Sequence, residues 1–334
     1  MIFNILKVKT LKIPQSTGSF SSLAVLPDGS LATCVDNRNI DIWNIYQGKI
    51  IKTLRGHTDA ILTLNTMNDD ILVSGSLDKT IKIWKNYQVV YTLNGHSDFV
   101  WSLVGLSNDL LASGSNDNTI KIWNITNGKL IKTFNSKNQI MCLNVKDDTI
   151  ISGTINGTIN FWSISKESIQ KTIDGHTNAV TSVIIINNNK LVTSSGDTTI
   201  KIWNFTNGDL IKILSCHNNW IYSIVSLKND SILASSSGDQ TIKLWNIDNG
   251  VLLKTFTGHT DLIFCLVVLK DGNLASSSWD KTIKLWNVTN EIIITNKIVI
   301  KSNHLINNKS NFIYLDIKCS LLIIFYIMVN SIIE

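Results

Sequence analysis

Short apolar runs alternate with polar turns along most of the chain. The phrase GHTDAILTL predicts a turn followed by a strand, ILVSGSLD a second strand and KTIKIW a third; phrases like KIIKTLRGH predict a fourth strand that leads into the next unit. The runs are rich in Ile, Val, Leu and Thr, and Asn, Asp, Gly and Ser separate them. These features are typical of β-strands joined by tight turns, and no helical period occurs here. The pattern predicts one small four-stranded antiparallel sheet per unit.

The third strand of each unit ends in a tryptophan that recurs at spacings of 41, 39, 39, 41, 42 and 41 residues. The recurring residues are Trp43, Trp84, Trp123, Trp162, Trp203, Trp245 and Trp286. A single four-stranded sheet cannot bury both of its faces, so neighbouring sheets must stack. Seven sheets stacked radially close a ring and protect their edges. The repeat therefore predicts a closed ring of seven sheets.

Two further residue types keep a fixed distance from this tryptophan. A histidine of a turn, usually preceded by Gly, lies 27 or 28 residues upstream, at His57, His96, His176, His217 and His259. An aspartate lies six residues upstream, at Asp78, Asp117, Asp197, Asp239 and Asp280. This motif resembles the WD-repeat family over about residues 6–290. The resemblance implies an all-β fold, a seven-bladed β-propeller of four-stranded antiparallel blades.

The resemblance also implies that each histidine joins the Asp, the Trp and a Ser or Thr of its unit in a buried hydrogen-bond network. Buried polar groups need such partners, and a fully satisfied network makes a structure rigid. Two units depart from the motif: the first has Asn37 at the aspartate position and no histidine, and the fourth has Asn156 and no histidine. The residue after the tryptophan is usually Asn and never Asp. We expect units one and four to be the least rigid blades.

The ends of the repeated region suggest how the ring closes. The phrase VKTLK (Val8–Lys12) matches IKTLR (Ile51–Arg55), the outer strand of unit one. We therefore expect an N-terminal strand to complete the seventh blade, although Glu291–Ile300 is an alternative source of that strand. The domain boundaries that follow are 1–302 for the propeller and 303–334 for an apolar, Asn- and Ile-rich tail.

The tail contains an unbroken apolar stretch of nine residues, Leu321–Val329. A membrane-spanning helix needs about twenty, so a membrane anchor is not favoured. A strand packed on the propeller and an extension without function are the alternatives. The N-terminus lacks the long apolar run and the small-residue cleavage site of a secretory signal.

Composition favours a folded intracellular protein. The chain of 334 residues is 44% hydrophobic and 16% charged, which argues against disorder. Its five cysteines are odd in number and form no C-x-x-C pair, which indicates free thiols in a reducing compartment. We expect a cytoplasmic or nuclear protein.

Catalytic and metal-binding interpretations find little support. The histidines and aspartates recur once per unit, whereas a catalytic acid is normally unique in a chain. No zinc spacing, nucleophile elbow, P-loop or dinucleotide fingerprint occurs. We therefore predict no enzyme activity, no cofactor and no metal site.

Lysine also recurs in the third strand, at Lys82, Lys121, Lys201, Lys243 and Lys284. Solvated side chains that discourage sheet-edge association are the simpler interpretation. The alternative is an anionic partner, but the net charge of +5 is spread evenly and no aromatic–basic cluster follows a strand. Nucleic acid binding is not expected.

Residues that differ between units carry specificity. In the family that the chain resembles, three places per blade point to the top face: three and five residues after the His position, and one residue before the turn Asp. The three tryptophans outside the repeat all occupy such places, together with other aromatic residues. We predict a partner-binding face at Phe99, Trp101, Trp220, Tyr222, Phe264, Trp279, Leu62 and Asp36. A large exposed aromatic patch marks an interaction site.

The predicted partner is a protein or peptide, within a multi-protein complex. No arginine lies at these places, and an arginine cluster is what recognises a phosphorylated peptide. A phosphopeptide-reading ubiquitin-ligase substrate receptor is therefore disfavoured. An apolar side chain, or a Lys or Arg held by cation–π contacts, suits aromatic rings better. The alternative of a different class is a membrane-associated trafficking or coat component that uses the apolar tail and basic edge.

Overall fold

A computed structural model describes residues 9–12, 21–35, 38–67, 71–186, 189–227 and 230–288. These residues form seven four-stranded antiparallel sheets, the blades of a β-propeller. Among them, no helix has the length and apolarity needed to cross a membrane. The predicted fold class is confirmed.

Within each blade the strands follow the order of the chain from the centre outwards. The innermost strands are β2 (Leu23–Val25), β6 (Ile61–Met67), β10 (Val100–Gly105), β14 (Ile140–Lys146), β18 (Val180–Ile186), β22 (Ile221–Leu227) and β26 (Ile263–Val268). The second strands are β3 (Leu31–Val35), β7 (Ile71–Ser76), β11 (Leu110–Ser115), β15 (Thr149–Thr154), β19 (Lys190–Ser195), β23 (Ile232–Ser237) and β27 (Leu274–Ser278). We number the blades 1 to 7 in the order of these strands.

The outer half of each blade carries the repeated tryptophan and the exposed edge. The third strands are β4 (Asn39–Asn44), β8 (Ile81–Lys85), β12 (Thr119–Asn124), β16 (Thr158–Ser163), β20 (Thr199–Asn204), β24 (Ile242–Asn246) and β28 (Thr282–Trp286). The outer strands of blades 1 to 6 are β5 (Lys49–Leu54), β9 (Gln88–Leu93), β13 (Lys129–Asn135), β17 (Ser168–Asp174), β21 (Leu210–Ser215) and β25 (Leu252–Phe256).

The N-terminal strand closes the ring, as the sequence predicted. β1 (Lys9–Lys12) pairs antiparallel with β28, with Thr10 opposite Lys284, and so supplies the outer strand of blade 7. The innermost strands of blades 7 and 1 also contact each other. The alternative strand at 291–300 and the predicted tail at 303–334 lie outside the described residues.

The core lies between the blades. In one cluster, Trp123 and Leu111 of blade 3 pack with Leu93 and Val73 of blade 2. Each blade therefore buries one face against each neighbour, which is what a four-stranded sheet of this size needs. Burial of this kind stabilises a structure by about 25 cal/mol per Å² of apolar surface, and it fixes the turns on which the functional side chains lie.

Candidate functional site

Five blades contain a hydrogen-bonded array of four side chains. In blade 2 the Trp84 indole donates to Ser74 Oγ (2.8 Å), and His57 bridges Ser74 (2.7 Å from Nε2) and Asp78 (2.7 Å from Nδ1). In the order Trp, Ser or Thr, His, Asp, the other arrays are Trp123–Ser113–His96–Asp117, Trp203–Thr193–His176–Asp197, Trp245–Ser235–His217–Asp239 and Trp286–Ser276–His259–Asp280. The motif histidines and aspartates thus meet once in each of these five blades, between the core and one face of the ring.

The array in blade 2 favours an ionised aspartate. Burial raises the pKa of the Asp78 carboxyl, but hydrogen bonds from His57 and two threonines outweigh burial and hold that pKa well below its usual range. In blade 5, burial lowers the pKa of His176, although the Asp197 carboxylate acts in the opposite direction. One assignment then satisfies every group: Trp N–H donates to the hydroxyl, the hydroxyl to Nε2, and Nδ1–H to the carboxylate.

The order Ser–His–Asp is also that of a hydrolytic triad, but this geometry does not suit nucleophilic attack. Ser74 is fully buried, and its oxygen already accepts the Trp84 N–H, so no substrate atom can approach it. The arrays can act as rigid cross-links between core and turn. Among the described residues, no group of three or more His, Cys, Asp or Glu side chains is placed to hold a metal ion.

Blades 1 and 4 keep only the inner half of the array. Trp43 donates to Thr33 Oγ1 (3.1 Å) and Trp162 donates to Ser152 Oγ (2.9 Å). In blade 4, Asn156 accepts hydrogen bonds within its own turn instead of from a histidine. Asn37 of blade 1 lies outside the described residues.

The top face, defined here as the face that carries the turns between second and third strands, brings two of the three predicted places together. The backbone N–H of the residue before the turn Asp donates to the carbonyl three residues after the His position in every blade from 2 to 7. The pairs are Leu77–Ala60, Asn116–Phe99, Ile155–Gln139, Gly196–Ala179, Gly238–Trp220 and Trp279–Leu262, at 2.8–3.1 Å.

The third place, five residues after the His position, is a β-bulge. The register between first and second strands skips one residue at this point in blades 2 to 7: Leu62, Trp101, Met141, Thr181, Tyr222 and Phe264. A bulged residue leaves the ladder, and bulges re-aim side chains next to functional sites. Each of blades 2 to 7 thus has one residue on its innermost strand that does not pair with the second strand.

Four of the predicted binding residues form one continuous run of rings across blades 6 and 7. We name this run, Trp220, Tyr222, Phe264 and Trp279, the aromatic strip. Trp220 and Tyr222 are 6.2 Å apart between ring centroids, Tyr222 stacks on Phe264 at 4.7 Å, and Phe264 lies parallel to Trp279 at 6.3 Å. The stack of Tyr222 on Phe264 joins the bulges of two neighbouring blades.

A glycine that the sequence reasoning did not single out accommodates one end of the strip. A Cβ on Gly196 of blade 5 would lie 2.7 Å from Cε2 of Trp220, a distance that no real side chain allows. The sequence contains a signal that could have identified this glycine. The place before the turn Asp is Gly in blades 5 and 6, whereas the other blades have larger residues there. Gly196 therefore acts as a positioning residue for the Trp220 ring.

The two tryptophans of the segment SSSWDKTIKLWN have opposite environments. Trp286 is 2% exposed and belongs to the blade 7 array, whereas Trp279 is 47% exposed. Asp280, which follows Trp279, accepts hydrogen bonds from His259 and Thr282. The turn that holds Asp280 against the array thus presents Trp279 to solvent.

The remaining predicted residues lie apart from the strip. Phe99 and Trp101 of blade 3 are half-buried, and no ring contact joins them to the strip within the part of the chain that the structure describes. The Trp101 indole Nε1 is buried and has no hydrogen-bond partner among the described residues. Leu62 is half-buried on blade 2. Asp36 lies outside the described residues.

The third-strand lysines differ from the expectation of solvated side chains. Lys121 and Lys243 are each only 9% exposed, and their ammonium groups donate to Thr133 and Thr255 of the adjacent outer strand. Lys201 instead donates to the Gly175 carbonyl. The threonine hydroxyls compensate for the lost hydration of Lys121 and Lys243, so these two lysines tie the outer strand to its blade. Lys82, Lys201 and Lys284 are half-buried.

Comparison with known proteins finds repeats of the same kind. The chain is 43% identical over 56 residues to WD repeat and SOCS box-containing protein 1 of Danio rerio, which covers 16% of this chain and 13% of that protein. It is 41% identical over 69 residues to Periodic tryptophan protein 2 homolog of Neurospora crassa, covering 20% and 8%. The chain thus spans less than a sixth of the length of these curated relatives.

A family model of the WD domain, G-beta repeat, matches residues 48–85, 87–124, 167–204, 208–246 and 250–287. These are the repeats that end in the five complete arrays, and the stretches left unmatched hold the units without histidine. Each matched repeat also begins with the outer strand of the preceding blade, so the repeat and the blade are offset by one strand. Because these repeats cover more than half of the chain, the chain belongs to the WD40 family.

Proposed function

We propose that this protein is a non-catalytic interaction scaffold whose protein or peptide partner docks on the top face at the aromatic strip. The observation that carries the proposal is the unbroken contact of four rings across two blades, which ends in the 47% exposed Trp279. Exposed aromatic clusters mark interaction sites, and Trp and Tyr dominate the binding energy of interfaces.

The chemistry of the strip suits an apolar or a cationic side chain of the partner. None of its four residues is charged, and burial raises the pKa of the Tyr222 hydroxyl, so the strip stays neutral at physiological pH. No hydrogen bond joins that hydroxyl to any residue that the structure describes, which leaves it available to a partner. A Lys or Arg side chain over these ring faces would gain about 0.5–2 kcal/mol from cation–π attraction.

Two alternatives remain distinct from this proposal. A substrate receptor that reads phosphopeptides would need an arginine cluster, and the chain has only Arg38 and Arg55, neither at the strip. A membrane-associated coat component would depend on residues 303–334; flotation of the full chain with liposomes tests it. We propose a cytoplasmic or nuclear location, supported by the free thiols of Cys34, Cys142 and Cys265.

Affinity capture followed by quantitative mass spectrometry tests the proposal. We expect the double variant Trp220→Ala/Trp279→Ala to lose the proteins that the wild type retains, by about tenfold or more in recovered amount, because aromatic anchors each contribute 2 kcal/mol or more. The matched control is Tyr46→Ala, which removes a 71% exposed aromatic ring on the turn between β4 and β5. Equal recovery with both variants, each shown by circular dichroism to be folded, would contradict the proposal.

A further inference from the structure

Blade 2 lacks a core residue that the other six blades share. Two residues after the repeated tryptophan, an apolar side chain folds back into the gap between that blade and the preceding one. These residues are Ile45, Ile125, Ile164, Phe205, Ile247 and Val288, of which four are at most 4% exposed and two half-buried. The equivalent residue of blade 2 is Asn86, which is polar and exposed.

The turn explains the difference. In blade 1 the turn from third to outer strand covers residues 45–48, and Gly48 N–H closes it on the Asn44 carbonyl at 2.8 Å. Blade 2 has only Asn86 and Tyr87 in its turn, both with positive φ (51° and 64°). Such a two-residue hairpin connects the strands directly, so Asn86 and Tyr87 lie at the edge of the gap and neither fills it as the buried apolar residue does in other blades.

A pocket occupies the place of the missing side chain. Four apolar residues, Leu26, Leu54, Leu72 and Trp84, line it together with Pro27, Asp28, Asn86 and Tyr87, and its volume is about 180 Å³. In blade 1 the four equivalent residues, Leu269, Leu11, Leu31 and Trp43, share one cluster with Ile45. The lining of the pocket is thus the usual lining of an isoleucine site, and an apolar cavity of about 150 Å³ is large enough to bind benzene. We call it the plug pocket.

A hydrogen-bond donor beside the gap lacks its acceptor as well. Lysines of the outer strands donate across to the turn of the next blade: Lys9 to the Ile45 carbonyl (2.6 Å), Lys132 to Ile164 (3.0 Å) and Lys171 to Phe205 (2.7 Å). In these three cases the acceptor belongs to the apolar residue itself, whereas Lys212, at the same register, donates to the carbonyl of the following residue, Asp248 (2.7 Å). Lys52 has the same register on β5, and it makes no hydrogen bond to any residue that the structure describes.

We propose that the plug pocket is a second interaction site, which takes one aliphatic side chain from a partner peptide and binds the carbonyl of that same residue through Lys52. The partner would supply what the longer turn supplies in the other blades: an aliphatic side chain (Ile, Leu or Val) and the backbone carbonyl oxygen of the same residue. The turn between third and outer strands lies on the face opposite the aromatic strip, so this site goes beyond the function proposed above.

Methyl NMR of the full chain with labelled leucines tests the proposal. We expect acetyl-isoleucine N-methylamide to shift the methyl resonances of Leu26, Leu54 and Leu72, and to bind at least about tenfold more tightly than acetyl-alanine N-methylamide, because each extra methylene in an apolar pocket is worth a factor of ten or more. Lys52→Ala should weaken binding several-fold, whereas Trp279→Ala should leave it unchanged.

A turn graft provides the matched control. Replacing Lys85–Gln88 by the blade 3 turn sequence Asn-Ile-Thr-Asn-Gly-Lys restores the plug and should abolish binding. The same graft with Ala in place of Ile should retain binding at the level of Lys52→Ala, because it lacks the Ile side chain but supplies Lys52 with a carbonyl from the turn. Equal affinity for both probes, shifts elsewhere than at the three leucines, or no shift at all would overturn the proposal; the last result would mean that another part of this chain fills the pocket. A concentration-dependent dimer that the Ile graft dissolves would also overturn it, in favour of a second copy as the occupant.

Discussion

Blades 3 and 4 are neighbours with the same four strands but different polar interiors. Blade 3 has the full array from Trp123 to Asp117, whereas blade 4 ends its array at the bond between Trp162 and Ser152. The ring of Phe134, on the outer strand of blade 3, meets the Trp162 ring of blade 4 edge-on, with 5.8 Å between the ring centroids. The comparison teaches that the tryptophan and its hydroxyl partner suffice for the blade, and that the His–Asp pair adds a link to the top turn.

The link is visible in the hydrogen bonds of the turn. Asp117 accepts from His96, from the backbone of Ser97 and from Thr119, so one carboxylate joins the loop before β10 to the turn after β11. Both turns also bond to the loop that leads into the next blade: the Ser136 backbone N–H donates to the Asn118 carbonyl at 2.7 Å, and the His176 backbone N–H donates to the Gly157 carbonyl at 3.0 Å. The two blades therefore share the bond to the next loop, and they differ in the carboxylate link, which only blade 3 has.

The largest expected effect on stability comes from removing the repeated tryptophan, which both blades contain. Trp123→Ala and Trp162→Ala should each lower the free energy of unfolding by about 3–5 kcal/mol, because both rings are at most 3% exposed and their removal leaves a large cavity. Urea unfolding followed by circular dichroism measures this. Trp279→Ala is the control and should cost less than about 1 kcal/mol, since an exposed ring leaves no cavity. A loss at Trp279 equal to the others would show that this residue belongs to the core.

A smaller effect should separate the two blades. Asp117→Ala leaves the buried His96 Nδ1–H without an acceptor and should cost about 1–3 kcal/mol. Asn156→Ala at the equivalent place in blade 4 removes only hydrogen bonds within an exposed turn and should cost less than about 1 kcal/mol. Urea unfolding measures the loss of unfolding free energy in both variants. Equal losses would mean that the His–Asp link contributes no stability beyond that of an ordinary turn.

The sequence predicts the fold well because the repeated residues report local structure. Strand patterns, turn residues and the spacing of Trp43 to Trp286 each recur, and the match of Val8–Lys12 to Ile51–Arg55 predicts the closing strand. The aromatic strip could be predicted only in part. The repeat gives the positions of its four residues along the chain. Their stacking depends on bulges and on Gly196 in a different blade, which no periodic pattern encodes.

Two features escaped the sequence because they depend on side chains of another strand or another blade. The burial of Lys121 follows from Thr133 on the outer strand, and a lysine at that spacing looks solvated until its hydroxyl partner is known. The plug pocket has a sequence signal, the 39-residue spacing from Trp84 to Trp123, but a short spacing alone does not show which side chain is lost. Only comparison of Asn86 with Ile45 in the folded blades identifies it.

The smallest expected effect concerns pH and again distinguishes blades with the array from blade 4. Burial lowers the pKa of His176 below its ordinary value of 6.5, so on acidification the unfolded chain takes up a proton at this residue before the folded chain does. The stability that His176 contributes is therefore complete above about pH 6.5 and is lost as the pH falls toward the lower folded pKa. A single such group changes the free energy of unfolding by at most about 1.4 kcal/mol per pH unit.

We accordingly expect the unfolding free energy to fall from pH 7 to pH 5, and His176→Gln to make that dependence shallower. Ser136→Ala, at the place where blade 4 lacks its histidine, should leave the slope unchanged because no titrating group is removed. Below about pH 4 a second loss should begin, since the pKa of Asp197 is held below its ordinary value of 3.8, where hydrogen bonds from Thr199 and His176 outweigh its burial. A pH dependence that the histidine variant leaves unaltered would show that the arrays do not titrate with folding, and that blades 3 and 4 differ in hydrogen bonding alone.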